Sequence, residues 1–543
     1  MSSTTAHSGT LHDPKRRRAV LFAVCIALMA VIASVSGLNV AQPQLAVAFG
    51  ASQSTILWII NIYTVALAAL LLPLGALGDR WGRRPVLLTG LSLFGVANVA
   101  AGLAPSTEVM LAARLLSGVG AAMIMPVTLA VITSTFPAEE RSRAIGVWTG
   151  VAGGGGVLGM FLSAVLVDVA TWRWLFVLPV VLVPAAAVLT LRSVPDSRDA
   201  SEHPFDTVGS LTSVVAVIGL ILVLQEGPER GWTAPPVLAA LLVGTLAAIC
   251  FVRWELRRPA PLLDVRLFRE RGPAGGSVAL LVVFGVQAGI FVVLFPYFQA
   301  VLGWSGLRST LALMPMALLM MAASGLAPRV AGRAGPRATM AAGILLGGAG
   351  LALMATLVSV DGGYPSVLPG MLAMGFGMGL TMTPATEAIT GALPRERQGV
   401  ASALNDVTRE FGTALGVALL GALLSAGYRS AVDSRLDAAP KASAGDAPGA
   451  VPHEAAEAAR EGVSNALEAA AGAGSSGRTL VRAAREAFVD GWQQAMWAGV
   501  TVMAVLFVYV LVRGPERPAH RPVDPAEPDG EPGRPDRDGE LTG

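Results

Sequence analysis

The chain has 543 residues, of which 53% are hydrophobic and 14% charged, with a net charge of +2 and a mean hydropathy of +0.62. A soluble domain carries about a quarter charged residues, so soluble globular, fibrous and disulfide-scaffold classes are excluded. The small excess of positive charge is spread over many loops and gives no reason to expect nucleic acid.

Residues 1–18 form a polar tail that ends in Lys15-Arg16-Arg17-Arg18. An apolar run from Ala19 to about Val40 follows, longer than the ~7–15 residues of a signal-peptide core. Counting such runs predicts fourteen spans, at roughly 19–40, 55–77, 85–104, 107–131, 142–167, 173–193, 208–226, 234–254, 275–300, 307–327, 338–359, 365–391, 398–427 and 491–513. Each approaches the ~20 residues that cross ~30 Å of hydrocarbon at ~1.5 Å per residue. Helices are expected throughout, because a backbone in lipid must satisfy its own hydrogen bonds. Residues 428–490 read as a long loop, with short amphipathic helices around 453–470 and 478–489. Residues 514–543 read as a Pro/Asp/Glu/Arg tail too polar to bury a core. Cys25 and Cys250 fall inside apolar runs and read as packing residues.

The short loops set the orientation. With the N-terminus inside, the inner loops carry eighteen arginines, from Arg80, Arg83 and Arg84 through Arg198 to Arg395 and Arg397. The outer short loops carry three, Arg173, Arg230 and Arg308. That asymmetry places both termini in the cytoplasm of a multi-pass protein in the cytoplasmic membrane. The predicted organisation is a tail (1–18), a six-helix bundle (19–194), two linker helices with inner loops (195–272), a second six-helix bundle (273–513) and a tail (514–543).

The string Gly75-Ala76-Leu77-Gly78-Asp79-Arg80-Trp81-Gly82-Arg83-Arg84 lies where the second span meets the inner side. Its glycines allow helix ends to approach, and Asp79 is suited to accept from the N-terminus of a neighbouring helix. The string resembles the loop between helices 2 and 3 of the major facilitator superfamily, where it acts as an inner gate. Other stretches are similar to the superfamily's fourteen-helix drug:proton antiporter branch. Arg114-Leu115-Leu116-Ser117-Gly118 resembles the fourth-helix motif. Gly146, Gly150, Gly154, Gly155 and Gly159 resemble the glycine-rich hinge of the fifth helix. Trp172-Arg173-Trp174, Thr383-Pro384-Ala385-Thr386-Glu387 and Asn405-Asp406-Val407-Thr408-Arg409-Glu410 resemble its sixth, twelfth and thirteenth helices. The resemblance implies an all-α membrane protein of two six-helix bundles plus two extra central helices, and the export of drugs in exchange for protons.

Three positions depart from the branch. Ser34 stands where the first helix usually has an acid, Ser117 where the fourth-helix motif has Gln, and Met160 where the hinge has Pro. The N-terminal half therefore lacks its coupling carboxylate. No histidine falls within a predicted span, which leaves Glu387, Asp406 and Glu410, with Arg409 as a partner, as proton-coupling candidates. The same cluster can equally serve to fix the twelfth and thirteenth helices together. Arg114 should lie level with Ser34, and so must meet an uncharged partner, a backbone carbonyl or an anionic substrate.

Met371, Met374, Met378 and Met382 recur at helical spacing, giving an adaptable apolar stripe. Trp58, Asn61, Tyr63, Gln287 and Phe291 are further candidates for a substrate cavity, with core packing the competing reading for each. Gly472-Ala473-Gly474-Ser475-Ser476-Gly477-Arg478-Thr479 imitates a phosphate-binding loop but has Arg for Lys and no preceding strand. No nucleotide, metal, cofactor or catalytic constellation is expected, and the chain is not read as an enzyme. The expectation is a monomeric exporter of hydrophobic or amphipathic molecules in the lipid bilayer, working with protons. The alternative is a dedicated exporter of one endogenous metabolite, anionic if Arg114 faces the cavity.

Overall fold

The computed structural model describes residues 13–197, 205–438, 453–472 and 477–516. Arg198, the central residues of the Gly472–Thr479 string and positions 517–543 of the polar tail lie outside these residues. Fourteen helices are long and apolar enough to cross a membrane. In chain order the helices are α1 (Pro14–Val40), a short α2 (Gln42–Phe49), α3 (Gln53–Trp81), α4 (Arg83–Gly102), α5 (Thr107–Thr135), α6 (Ala138–Val169) and α7 (Val177–Ser193). Then come α8 (Thr207–Arg230), α9 (Pro235–Glu255), α10 (Arg271–Pro296), α11 (Gly306–Ala334), α12 (Pro336–Leu357), α13 (Gly363–Thr390), α14 (Gln398–Ala438), α15 (His453–Glu461), α16 (Val463–Gly472) and α17 (Gly477–Arg513).

Helix starts follow local chemistry. Ser52 accepts from the Thr55 amide, Asp206 from Gly209 and Ser305 from Arg308, each capping a first turn. Gly82 and Gly335 turn the chain between α3 and α4 and between α11 and α12 with φ of +107° and +92°, values that disfavour a Cβ. These two turns lie at the end of the molecule that carries the arginine-rich loops, called the basic end below. The start of α1 and the end of α17 lie there too. Arg16 donates to the Ser193 carbonyl and Arg337 to that of Gly514, both at 3.1 Å.

The helices form two six-helix bundles, α1 and α3–α7 against α10–α14 and α17. The extra pair α8–α9 packs on itself where Gly219 meets Gly244, whose Cα would lie 2.6 Å from an added Cβ. Val217 and Ile221 of α8 rest on Ala68 and Ala69 of α3, with Phe411 of α14 beside them. The pair therefore touches both bundles. On its other side α9 exposes Leu241, Leu242, Val243 and Leu246, a face suited to lipid.

The predicted loop 428–490 differs from expectation. α14 and α17 do not stop near 427 and 491 but run on past the far end as continuous helices, and the short helix expected at 478–489 is the first part of α17. Residues 478–489 contain no Pro or Gly, so nothing interrupts the helix before Gly491. That glycine passes 2.7 Å (as a Cβ) from the Leu424 carbonyl. The segment expected at 453–470 is two helices, broken at Gly462. Arg435 pairs with Asp490 and Arg460 with Asp433, both at 2.7 Å, and Tyr428 donates to the Ala459 carbonyl at 2.7 Å.

In the second bundle α10 and α14 approach at glycines. A Cβ on Gly289 would lie 2.7 Å from the Gly416 carbonyl, and one on Gly416 would collide with the Gly285 carbonyl. Small residues let membrane helices gain contact at short range. Gly416→Val should therefore destabilise the fold by about 1–3 kcal/mol through overpacking. The check is the thermal midpoint of detergent-purified protein: it should fall for Gly416→Val and stay unchanged for Gly325→Ala, where nothing lies within 4 Å of an added Cβ.

Candidate functional site

At the basic end the two bundles are joined through the glycine-aspartate string. An added Cβ on Gly75 would lie 2.6 Å from the Gly399 carbonyl, so α3 and α14 touch backbone to backbone. Asp79, 4% exposed, then reaches the first turn of α14. Its Oδ1 accepts from the Gly399 amide at 2.8 Å and its Oδ2 from Val400 at 3.1 Å. These amides have no partner within their own helix, and the helix dipole favours a carboxylate there. Arg83 donates through Nη2 to Asp79 Oδ1 at 2.9 Å and to the Arg395 carbonyl at 2.7 Å. Gly78 gives α3 room beside Val127 of α5, where a Cβ would lie 2.8 Å from Val127 Cγ2. Arg84 holds the Leu191 carbonyl at 2.8 Å, and Arg80 is exposed.

The hinge glycines divide between two neighbours. Gly146 faces Ser324 and Pro328, and Gly150 and Gly154 face Met321, all on α11 across the bundle boundary. Gly155 faces Met29 and Gly159 faces Ala33, both on α1 of the same bundle. Thr149 and Thr383 bridge α6 and α13 through their hydroxyls at 2.9 Å. Thr383 opens the twelfth-helix string picked out in the sequence, but nothing in the sequence marked Thr149 as its partner.

Beyond these contacts from the basic end lies a cavity of about 220 Å³ between the bundles. Val31 and Val35 of α1, Met125 of α5, Gly153 of α6, and Phe284 and Phe291 of α10 form much of its apolar wall. Its polar lining is Gln287, Thr413, Arg409 and Glu410. The two charged residues lie roughly 16–18 Å along α14 from its first residue at ~1.5 Å per residue, deep in the span.

The two charges differ in their attachments. Arg409 pairs with Asp406 Oδ1 at 3.4 Å, and its guanidinium lies 4.4 Å from the Phe284 ring centroid and 5.5 Å from that of Trp148. Asp406 is fully enclosed and accepts from Asn405 Nδ2 at 3.1 Å. Glu410 takes no hydrogen bond or ion pair among the described residues. Such a site offers a cation or a proton one available carboxylate in an apolar, aromatic surround.

Glu387 stands apart from this group. It lies one turn from the end of α13, roughly 5 Å from the basic end of that helix, and its carboxyl meets Ser142 of α6. The four proton-coupling candidates are thus not one cluster: three sit together on α14, and the fourth sits at the bundle boundary nearer the basic end.

Arg114 is enclosed rather than facing the cavity. It is 0% exposed, donates to Ser34 Oγ at 3.0 Å and the Ile59 carbonyl at 3.3 Å, and lies 4.2 Å over the Tyr63 ring. Ser34 donates in turn to Asn98 Oδ1 at 3.1 Å. The arginine is therefore held by uncharged groups and a π face. Tyr63 belongs to this network, Asn61 uses its carbonyl to bind the Thr64 hydroxyl at 2.9 Å, and Trp58 is half-buried; none of the three lines the cavity. Of the aromatic and amide candidates, Gln287 and Phe291 do line it.

Met371, Met374 and Met378 are 0–1% exposed and away from the cavity. Gly350 of α12 packs against Met374, whose Cβ lies 3.1 Å from an added Cβ, so at this position the stripe is an interhelical contact. Phe284, Met125 and Thr413 were not singled out by sequence, because which face of a helix looks inward depends on the packing of both bundles.

A family model of the Major Facilitator Superfamily matches residues 24–417. Multidrug resistance protein Stp of Mycobacterium tuberculosis (strain CDC 1551 / Oshkosh) is 32% identical over 383 residues, 70% of this chain and 71% of its own length. Multidrug efflux pump LfrA of Mycolicibacterium smegmatis is 32% identical over 413 residues, 76% of this chain and 81% of its own. Among solved structures, the human organic anion transporter MFSD10 shares the fold with a TM-score of 0.57 at 14% identity, over 92% of this chain and 100% of that one.

The Asp79 contacts make a specific demand. Asp79→Asn removes the charge that balances buried Arg83 and weakens two hydrogen bonds to α14, each charged bond being worth about 1.5–3 kcal/mol. The population separated at the basic end should rise by roughly tenfold or more. Electron-electron resonance between spin labels at Trp81→Cys and Glu396→Cys, with Cys25 and Cys250 replaced by Ala, should show a longer-distance component in the variant.

Proposed function

Starting from the Major Facilitator Superfamily, to which this chain belongs, we propose that it exports amphipathic, aromatic organic molecules from the cytoplasm across the cytoplasmic membrane in exchange for protons. The observation that carries this reading is the cavity between the bundles, apolar and aromatic, with the single unattached carboxylate of Glu410. Stp and LfrA, by their names, are a multidrug resistance protein and a multidrug efflux pump.

The efflux and resistance relatives support the direction. With the basic loops and both termini on the cytoplasmic side, the contacts at Asp79 and at Thr149 close the cytoplasmic route. Substrate enters from the cytoplasm when the two bundles rock apart at Asp79. A cationic substrate pairs with ionised Glu410 while its rings lie on Phe284 and Phe291. A proton arriving from outside neutralises Glu410, releases the substrate and lets the emptied protein return. Arg409 bonds Asp406 and also attracts the charge of the neighbouring Glu410, without donating a hydrogen bond to it. Glu387, at the bundle boundary with Ser142, is placed to pass the proton onward to the cytoplasm. One chain contains both bundles and the whole cavity, so a monomer suffices, and the lipid bilayer is its only obligatory surround.

The alternative is a dedicated exporter of one endogenous metabolite with weak or atypical proton coupling, and its anionic version needed Arg114 to face the cavity. The Arg114 guanidinium is enclosed by Ser34, Ile59 and Tyr63, so that version alone loses its anchor.

The test uses purified protein in proteoliposomes with ethidium as the probe cation. Wild type should release protons when ethidium is added and should transport ethidium, driven by an imposed pH gradient, in the direction opposite to downhill proton flow. Glu410→Gln should lose at least tenfold in both, and Glu387→Gln should slow turnover while leaving ethidium binding intact. Absence of proton release in wild type overturns the exchange. Full activity in Glu410→Gln overturns the assignment. As a separate check on the enclosed network, Arg114→Ala should lower stability by about 1–3 kcal/mol, since it leaves the buried Ser34 hydroxyl and Ile59 carbonyl without their donor, whereas Arg114→Lys should recover part of it.

A further inference from the structure

The basic cluster at the start of the chain has a use beyond orientation. On α1, Pro14, Arg17, Arg18 and Leu21 follow helical spacing down one face; on α6, Glu140, Arg143, Ala144 and Val147 do the same. The two stripes face each other across a groove of about 320 Å³, with Phe136 from the α5–α6 junction completing its wall. The groove begins where the spans of both helices begin, at Pro14 and Ala138.

The groove changes character along its length. Its first turn holds three arginines and one glutamate, of which Arg17 and Glu140 pair at 2.8 Å. Arg18 and Arg143 are exposed and make no ion pair among the described residues, leaving a net +2 at the rim. One turn deeper the lining is Leu21, Ala144 and Val147, with Val147 39% exposed. A dianionic solute in water would gain nothing from the lower half. A molecule with an anionic phosphodiester at one end and a hydrocarbon chain at the other matches both halves. At ~30 Å³ per water-sized unit the groove takes about ten such units, the scale of a phosphoglycerol group with its first methylenes.

We propose that this groove is a binding site for an anionic phospholipid of the leaflet at the basic end. The phosphate lies between Arg18 and Arg143, and the acyl chain descends past Leu21 and Val147 along the outer face of α1 and α6. Basic pockets between membrane helices at the bilayer surface attract anionic headgroups at about the energy of one phosphate contact per arginine. The proposal is independent of substrate and of proton exchange, because no groove residue lines the central cavity.

Native mass spectrometry of delipidated full-length protein tests it, with dioleoyl phosphatidylglycerol and dioleoyl phosphatidylcholine titrated in parallel and inorganic phosphate as a competitor. Wild type should retain phosphatidylglycerol in preference to phosphatidylcholine. The double variant Arg18→Gln/Arg143→Gln should lose that retention by roughly tenfold, and Arg18→Lys/Arg143→Lys should keep most of it. Val147→Trp, which fills the lower groove from an exposed position, should also lower it while leaving the arginines in place. Equal retention of both lipids by wild type overturns the proposal, as does unchanged phosphatidylglycerol retention in the glutamine variant. Displacement by millimolar phosphate overturns it as well, because it identifies a site for a free anion.

Discussion

At the basic end, one carboxylate from the first half binds the start of a helix in the second. Asp79 projects from the end of α3 and takes both free amides at the start of α14, while Arg83 balances its charge and reaches the Arg395 carbonyl. Asp79, Arg83 and the two amides are buried, so their bonds act in a medium where a charge left unpaired is expensive. They also form across a boundary, with nothing covalent to hold it shut. Separation exposes Asp79 and the α14 amides to water together, which offsets much of the loss. A contact that is strong when closed and tolerable when open suits a protein that must alternate between two packings.

The closeness of α3 and α14 follows from Gly75 and Gly399, and the close contact of α6 and α11 from Gly146, Gly150 and Gly154. Both sets lie between the cavity and the basic end or along its wall. Glycine here lets whole helices come together on surfaces without knobs, so that they can part again without side chains changing rotamer. The α10–α14 contact within the second bundle is also built on glycines, with the Leu420 side chain packed against Gly289. The same residue type serves a separable boundary between bundles in one place and a contact within one bundle in another.

The spans were legible in the sequence because hydropathy over ~20 residues is a strong and local signal. Counting turns also placed Ser34 level with Arg114, and the two are hydrogen-bonded. Direction around a helix axis was less legible. The Met371–Met378 stripe recurs at helical spacing, yet none of the three lines the cavity, since a membrane helix is apolar on every side and spacing alone does not say which side looks at the cavity. Trp58, Asn61 and Tyr63 share that difficulty. Glu387 and Glu410 were grouped by chemistry, and the structure separates them because α13 and α14 run antiparallel and carry them to different depths. The extension of α17 was missed where the search for apolar runs gave up at charged residues that a helix above the membrane carries without strain.

The helical cap at the far end sits on the second bundle. Among the described residues its members α15 and α16 rest on α14, α17 and the turn Tyr297–Val301, and its ion pairs Arg435–Asp490 and Arg460–Asp433 stay within the same unit. It therefore travels with that bundle as ballast. Lineages are free to lengthen, shorten or redecorate such an appendage without retuning the stroke, which makes it the natural place for this scaffold to acquire new surface.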